Sequence, residues 1–141
     1  MDQEVREENE RKKEYLKSYQ KAVRREERIL QEIQRLRLDR IFPEVINDGM
    51  PHGSSQTDLS DYIILVDEQI DLLKQERLEK AKIRSDIEGR IRELKDDDEQ
   101  DVLKIRYIKG VNKWEDVAKE MNYSLRKIHK LHSSALIHLK I

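Results

Sequence analysis

The chain predicts an all-α fold, a long antiparallel helical hairpin followed by a C-terminal helix-turn-helix module. Three observations carry that expectation. Of its 141 residues, 42% are charged and only 5% aromatic, a composition that cannot fill a broad core but suits long helices burying a narrow stripe. Apolar residues recur at helical spacing on both sides of one dense cluster of turn residues. The last 40 residues, from Val102, hold two short amphipathic segments that meet at a tight turn, the second of them studded with basic side chains.

The first long helix is expected over about 8–41, where Leu16, Tyr19, Val23, Leu30 and Ile33 recur at steps of three, four and seven. Both prolines of the chain fall between Phe42 and Gly53, within Phe-Pro, Asn-Asp-Gly and Met-Pro-His-Gly-Ser-Ser. That succession of breakers predicts a loop over 42–57, with Thr57 or Asp58 placed to cap the next helix. The second long helix is expected over about 58–95, with Leu59, Ile63, Val66, Ile70 and Leu73 on one stripe and Ile87, Ile91 and Leu94 resuming it. Between these, Arg77, Lys80 and Arg84 interrupt the register. A lone hairpin over 1–97 buries a single weak seam. A second hairpin from another copy would complete a four-helix core, so a homodimer is expected, with a slender monomer as the alternative.

Asp96-Asp97-Asp98-Glu99 closes the hairpin. Acids in simple succession do not converge on one ion, whereas negative charge favours a helix N-terminus, so the run is read as the start of the next helix and of the 98–141 module. Within the module, Asn112 with Glu115 three residues on has capping-box spacing. Val117, Ala118 and Met121 form an inner face, with Ala118 small enough for two helix axes to cross closely. Asn122 suits the left-handed conformation that ends a helix, and Ser124 is the next N-cap. Tyr123 and Ile128 are spaced as a hydrophobic staple, and Ile128, Leu131, Ala135 and Leu139 continue as one apolar stripe.

The opposite face of that last helix carries the candidate site. Leu125, Arg126, Lys127, His129, Lys130 and Ser133 would face a DNA major groove, with Arg126 and Lys130 reading base edges and Lys127, Ser124 and Lys113 holding phosphates. Charge distribution supports this. From Val102 onward there are 9 Lys and Arg against 3 Asp and Glu, a balance of +6, while the preceding residues balance at −7 and the whole chain at −1. A basic surface helix without a ligand remains the plainer reading of the same residues. Tyr107 and Trp114, next to the motif, are expected to pack its core rather than stack on bases. His132 falls on the flank of the core stripe, and no metal site is expected from His129, His132 and His138.

Leu103 to Gly110, then Trp114-Glu115-Asp116-Val117-Ala118, then Ser124 through Leu139, resemble region four of bacterial sigma factors. From about Tyr15 onward, the chain is similar to the ArpU/RinA-type small transcription regulators of phages and prophages of Gram-positive bacteria, including their Met-Pro-Xaa-Gly segment at Met50-Pro51-His52-Gly53. It departs from them at Asn122, where Gly is commoner, and in the spacing of Lys109 to Lys113. The resemblance implies a regulator of phage or prophage late genes that binds promoter DNA, with RNA polymerase as a further partner.

Other function classes find little footing. With 0 Cys, disulfides and thiolate zinc sites are excluded. No phosphate loop, nucleophile elbow or paired-histidine zinc motif appears, so no enzyme and no cofactor are expected. The absence of an apolar run of membrane length and of an apolar signal core predicts a cytoplasmic protein without a membrane partner. The alternative left open is a helical interaction protein that docks on RNA polymerase or another protein without reading bases.

Overall fold

The computed structural model describes residues 2–41 and 55–141, with side chains placed for 2–40 and 59–141. Helix α1 spans Gln3–Ile41, α2 Ser55–Arg92, α3 Asp97–Leu103, α4 Trp114–Met121 and α5 Leu125–His138; α3 runs on into a π-helical stretch, Lys104–Ile108. Among the described residues there is no strand. The molecule is all-α, a long antiparallel hairpin followed by a helix-turn-helix, as expected. Most of the anticipated 42–57 loop, including both prolines, lies outside the described residues.

The long helices are shifted from their expected bounds. α1 begins at Gln3 rather than near Glu8, and its first turns hold close-spaced pairs, Gln3 with Glu7, Arg11 with Glu8 and Lys13 with Glu10. α2 begins at Ser55, which puts Thr57 and Asp58 inside its first turn instead of at its cap. It ends at Arg92 rather than 95, because Asp96 caps the next helix and the chain must turn before it.

The antiparallel pairing is legible in side-chain partners. As α1 numbers rise through Tyr15, Tyr19, Arg25 and Arg40, their α2 partners fall through Asp86, Arg84, Glu76 and Tyr62. These pairs set a register that differs from the expected stripe. Tyr62, Val66, Gln69, Leu73, Glu76, Lys80, Ile83 and Ile87, alternating at four and three, are withdrawn from solvent; of the expected stripe Val66, Ile70, Leu73, Ile87 and Ile91 are at least partly covered, while Leu59 and Ile63 are exposed. On α1, Leu16, Tyr19 and Ile33 are buried as expected, but Leu30 is exposed.

Packing divides the chain into two units, which do not follow the 1–97 and 98–141 division drawn from the sequence. One unit comprises 1–22 with 80–141, the other 23–79. The reason lies in the first unit, where the beginning of α1 and the end of α2 supply part of the core around α3 and α5. Leu16, Tyr19 and Ala22 from α1, Ile87 and Ile91 from α2, and Val102, Leu103, Ile128, Ala135 and Leu136 are all buried there. Helix α1 also donates into the C-terminal ends of two module helices. Lys12 Nζ reaches the carbonyl oxygens of Leu136 at 2.7 Å and Ile137 at 3.3 Å. Gln20 Nε2 reaches those of Tyr107 at 3.2 Å and Ile108 at 3.0 Å. Both contacts satisfy carbonyls that a helix end leaves without partners, and the ammonium also suits the negative end of the α5 dipole.

In the second unit, 23–79, the two helices face each other along one seam. Arg25 pairs with Glu76 at 3.1 Å, and Ile33 and Leu73 are its buried apolar residues among the placed side chains. Among the described residues no helix is long and apolar enough to cross a membrane.

Candidate nucleic-acid interface

The module is built from local caps. Asp96 accepts from Asp98 N at 2.8 Å, so the acidic run does start α3, and its members Asp97, Asp98 and Glu99 occupy the first turn. Glu99 does more than its place in that run suggested. Its carboxylate is buried and accepts from Ser134 Oγ at 3.3 Å while facing His138 Nδ1 at 2.6 Å, which ties α3 to the end of α5.

The π-helical stretch closes with Lys109 N donating to Lys104 O at 2.8 Å, then the chain reverses at Gly110, φ +83°. A side chain at Gly110 would be strained by that φ, and its Cβ would come within 3.0–3.1 Å of the Gln20 amide that holds this corner. Arg106 then bonds the carbonyls of both Val111 and Asn112 and lies over the Trp114 ring, 4.3 Å from its centroid. This clamp displaces the expected cap. The N-cap of α4 is Lys113, with no side-chain capping bond, and Asn112 stands one residue outside. Nothing in the sequence marks Arg106 for this part, since an arginine five and six residues ahead of the carbonyls it binds leaves no periodic trace.

The turn itself matches expectation. Asn122 is left-handed at φ 58° and ψ 39°, with its N–H returning to α4 carbonyls. Ser124 caps α5, its Oγ accepting from Lys127 N at 3.2 Å. Val117 and Ala118 on α4 and Ile128, Ala135 and Leu136 on α5 are buried, so the two helices are held by an apolar frame. Tyr123 has its hydroxyl on Asp98, 2.8 Å away, and its ring beneath the Lys127 ammonium, 3.9 Å from the centroid.

Two aromatic residues pack beside α5, as expected of residues that serve the module's core. Tyr107 is buried with its hydroxyl 2.7 Å from His132 Nε2, and the two rings stack. Burial pushes the Tyr107 phenol up to about 12 and the His132 imidazole down to about 4. At neutral pH both are uncharged, so the phenol can donate to an unprotonated imidazole nitrogen. Trp114 meets His132 edge-on at 4.6 Å and His129 at 5.2 Å. Of the three histidines of α5, His129 and His132 share Trp114, His132 also meets Tyr107, and His138 faces Glu99.

All eight residues singled out from the sequence lie on the surface: Lys113, Ser124, Leu125, Arg126, Lys127, His129, Lys130 and Ser133. Five of them, Leu125, Arg126, His129, Lys130 and Ser133, line one shallow concavity along α5. Lys113 sits apart at the start of α4, Ser124 has its lone pair on the cap, and Lys127 lies over Tyr123, so a phosphate has to compete with that ring for the ammonium. Lys113, Arg126 and Lys130 have no ion-pair partner among the described residues, nor has Lys119 on α4, an exposed cation passed over in the sequence. On α1, Arg11, Lys13, Lys17, Lys21 and Arg35 are each paired with a nearby acid, while Arg28 and Arg37, among the described residues, are not. The α5 surface is thus a row of uncompensated donors, with the open N–H groups of Leu125 and Arg126 at the helix start beside it.

Comparison of the chain with protein-family models, with curated proteins and with solved structures gives no match.

Proposed function

We propose that this protein is a sequence-specific DNA-binding transcription regulator whose α5 enters the major groove, of the phage or prophage late-gene type that its sigma-like sequence resembles. One observation carries the reading. On a helix braced by a left-handed turn and a serine cap, Arg126 and Lys130 project from the exposed face with no ion-pair partner among the described residues. Arg126, near the helix start, and Lys130, one turn later, are the base readers; His129, Ser133 and Leu125 fill the surface between and beside them. Lys113 and Ser124 meet phosphate, with Lys127 as a weaker contact because of Tyr123. Catalysis has no part in this reading, and the working compartment is the cytoplasm, where bacterial DNA lies.

The test is selection of duplexes from a random pool by the full-length protein, followed by binding of the enriched sequence against competitor DNA at physiological salt. The proposal expects one enriched motif, bound at least a thousandfold more tightly than unrelated duplex, roughly the lower bound for specific regulators. No enrichment, together with co-purification of RNA polymerase subunits, would move the function to protein docking by the same surface.

A further inference from the structure

We infer that the 23–79 unit carries a self-association face, and that its occupant is the same unit of a second copy, giving a four-helix dimer. A groove between the two helices is lined by Leu30, Ile33 and Leu38 of α1 and Ile70 and Leu73 of α2. Ile63 and Leu59 continue the Ile70 stripe at steps of seven and four. Leu30, Leu38, Leu59 and Ile63 along this face are 38–49% exposed. With the partly covered residues between them, they present on the order of 400 Å² of apolar surface, the apolar share of a standard interface that buries about 800 Å² per partner.

Charge selects a second copy over an unrelated apolar segment. The α1 part of the unit, 23–40, holds six Arg and four acids, a balance of +2; the α2 part, 59–79, holds two bases and six acids, a balance of −4. An isologous pairing that lays one copy's α1 beside the other's α2 brings opposite charge together twice. Groups to answer it are free. Arg28 and Arg37 on α1, and Asp67 and Asp71 on α2, have no ion-pair partner among the described residues. The same dimer would present two copies of α5, hence an operator with two half-sites, although the self-association claim rests on a different part of the chain from the DNA proposal and fails or stands separately.

The experiment is sedimentation equilibrium of the full-length protein at tens of micromolar, alongside two double variants. The parent is expected at twice the 17.0 kDa chain mass. Leu38→Glu with Ile63→Glu, both in the face, should return 17.0 kDa with helical circular dichroism retained. Leu65→Glu with Leu72→Glu, on the opposite flank of α2, should leave the dimer intact. A parent at single-chain mass, a face variant that still dimerises, or dissociation by the flank variant instead would each overturn the proposal. If the face variant does not fold, the parent's melting temperature decides: it rises with protein concentration for the dimer and is constant for a monomer.

Discussion

The two units are built from the same two long helices yet differ sharply in what they bury. The unit holding α3 to α5 fully buries fifteen apolar residues; the 23–79 unit, among its placed side chains, fully buries only Ile33 and Leu73. Apolar periodicity is present in both. What separates them is the number of neighbours: in the first unit α1 and α2 meet a third layer, while in the second, among the described residues, each helix has only the other. Ile63-Ile64-Leu65-Val66 surrounds α2 with apolar side chains that one partner helix cannot cover.

The largest expected effect sharpens that contrast. Leu136→Ala, in the first core, should lower unfolding free energy by about 2–5 kcal/mol, whereas Ile63→Ala, at 49% exposure, should cost about 0.5 kcal/mol or less in a monomeric sample. Urea denaturation of both variants at low concentration reads the difference; equal losses would mean the second unit has a core of its own.

The next effect is an acid sensitivity that originates at His132 in the first unit. The folded His132 pKa of about 4 lies below its ordinary 6.5, so on acidification the unfolded chain takes up the proton first. Stability from this residue is fully present above pH 6.5 and is lost as pH falls toward 4, by about 3 kcal/mol in all. His132→Phe should flatten the melting-temperature profile over that interval, and an unchanged profile would remove His132 as its cause. Smaller still, Lys12→Met leaves the Leu136 and Ile137 carbonyls without their donor and should cost about 1–2 kcal/mol, with hydrogen exchange rising at the end of α5. Ser124→Ala, removing one cap, should cost about 1 kcal/mol and speed exchange at the Lys127 amide.

How much of this was legible in the sequence depends on the range of the interaction. Asn122, Ser124 and Asp96 act on backbone within a few residues of themselves, and their chemistry announces itself locally. The face of α5 was also readable, because a helix must put Ile128 and Ala135 inside and thereby turn Arg126 and Lys130 outward. The α1–α2 register was not, since it is set by pairs such as Arg25 with Glu76 that are distant in the chain. Nor was the role of Lys12 and Gln20, whose partners are carbonyl groups more than eighty residues away and bear no side-chain signature. The packing of 1–22 with 80–141 was hidden for the same reason. Asn112 lost its cap to Lys113 because Arg106 draws the preceding carbonyls to itself.

The central claim, that the exposed face of α5 reads DNA, is tested most directly by titrating parent, Arg126→Ala and Lys113→Ala proteins against the selected duplex and a scrambled one over a range of salt. Arg126→Ala should lose about 1–3 kcal/mol on the selected duplex alone, narrowing the ratio between the two. Lys113→Ala should weaken both duplexes alike and reduce the salt slope by about one. If both variants bound both duplexes as the parent does at every salt concentration, α5 would not be the surface that meets DNA.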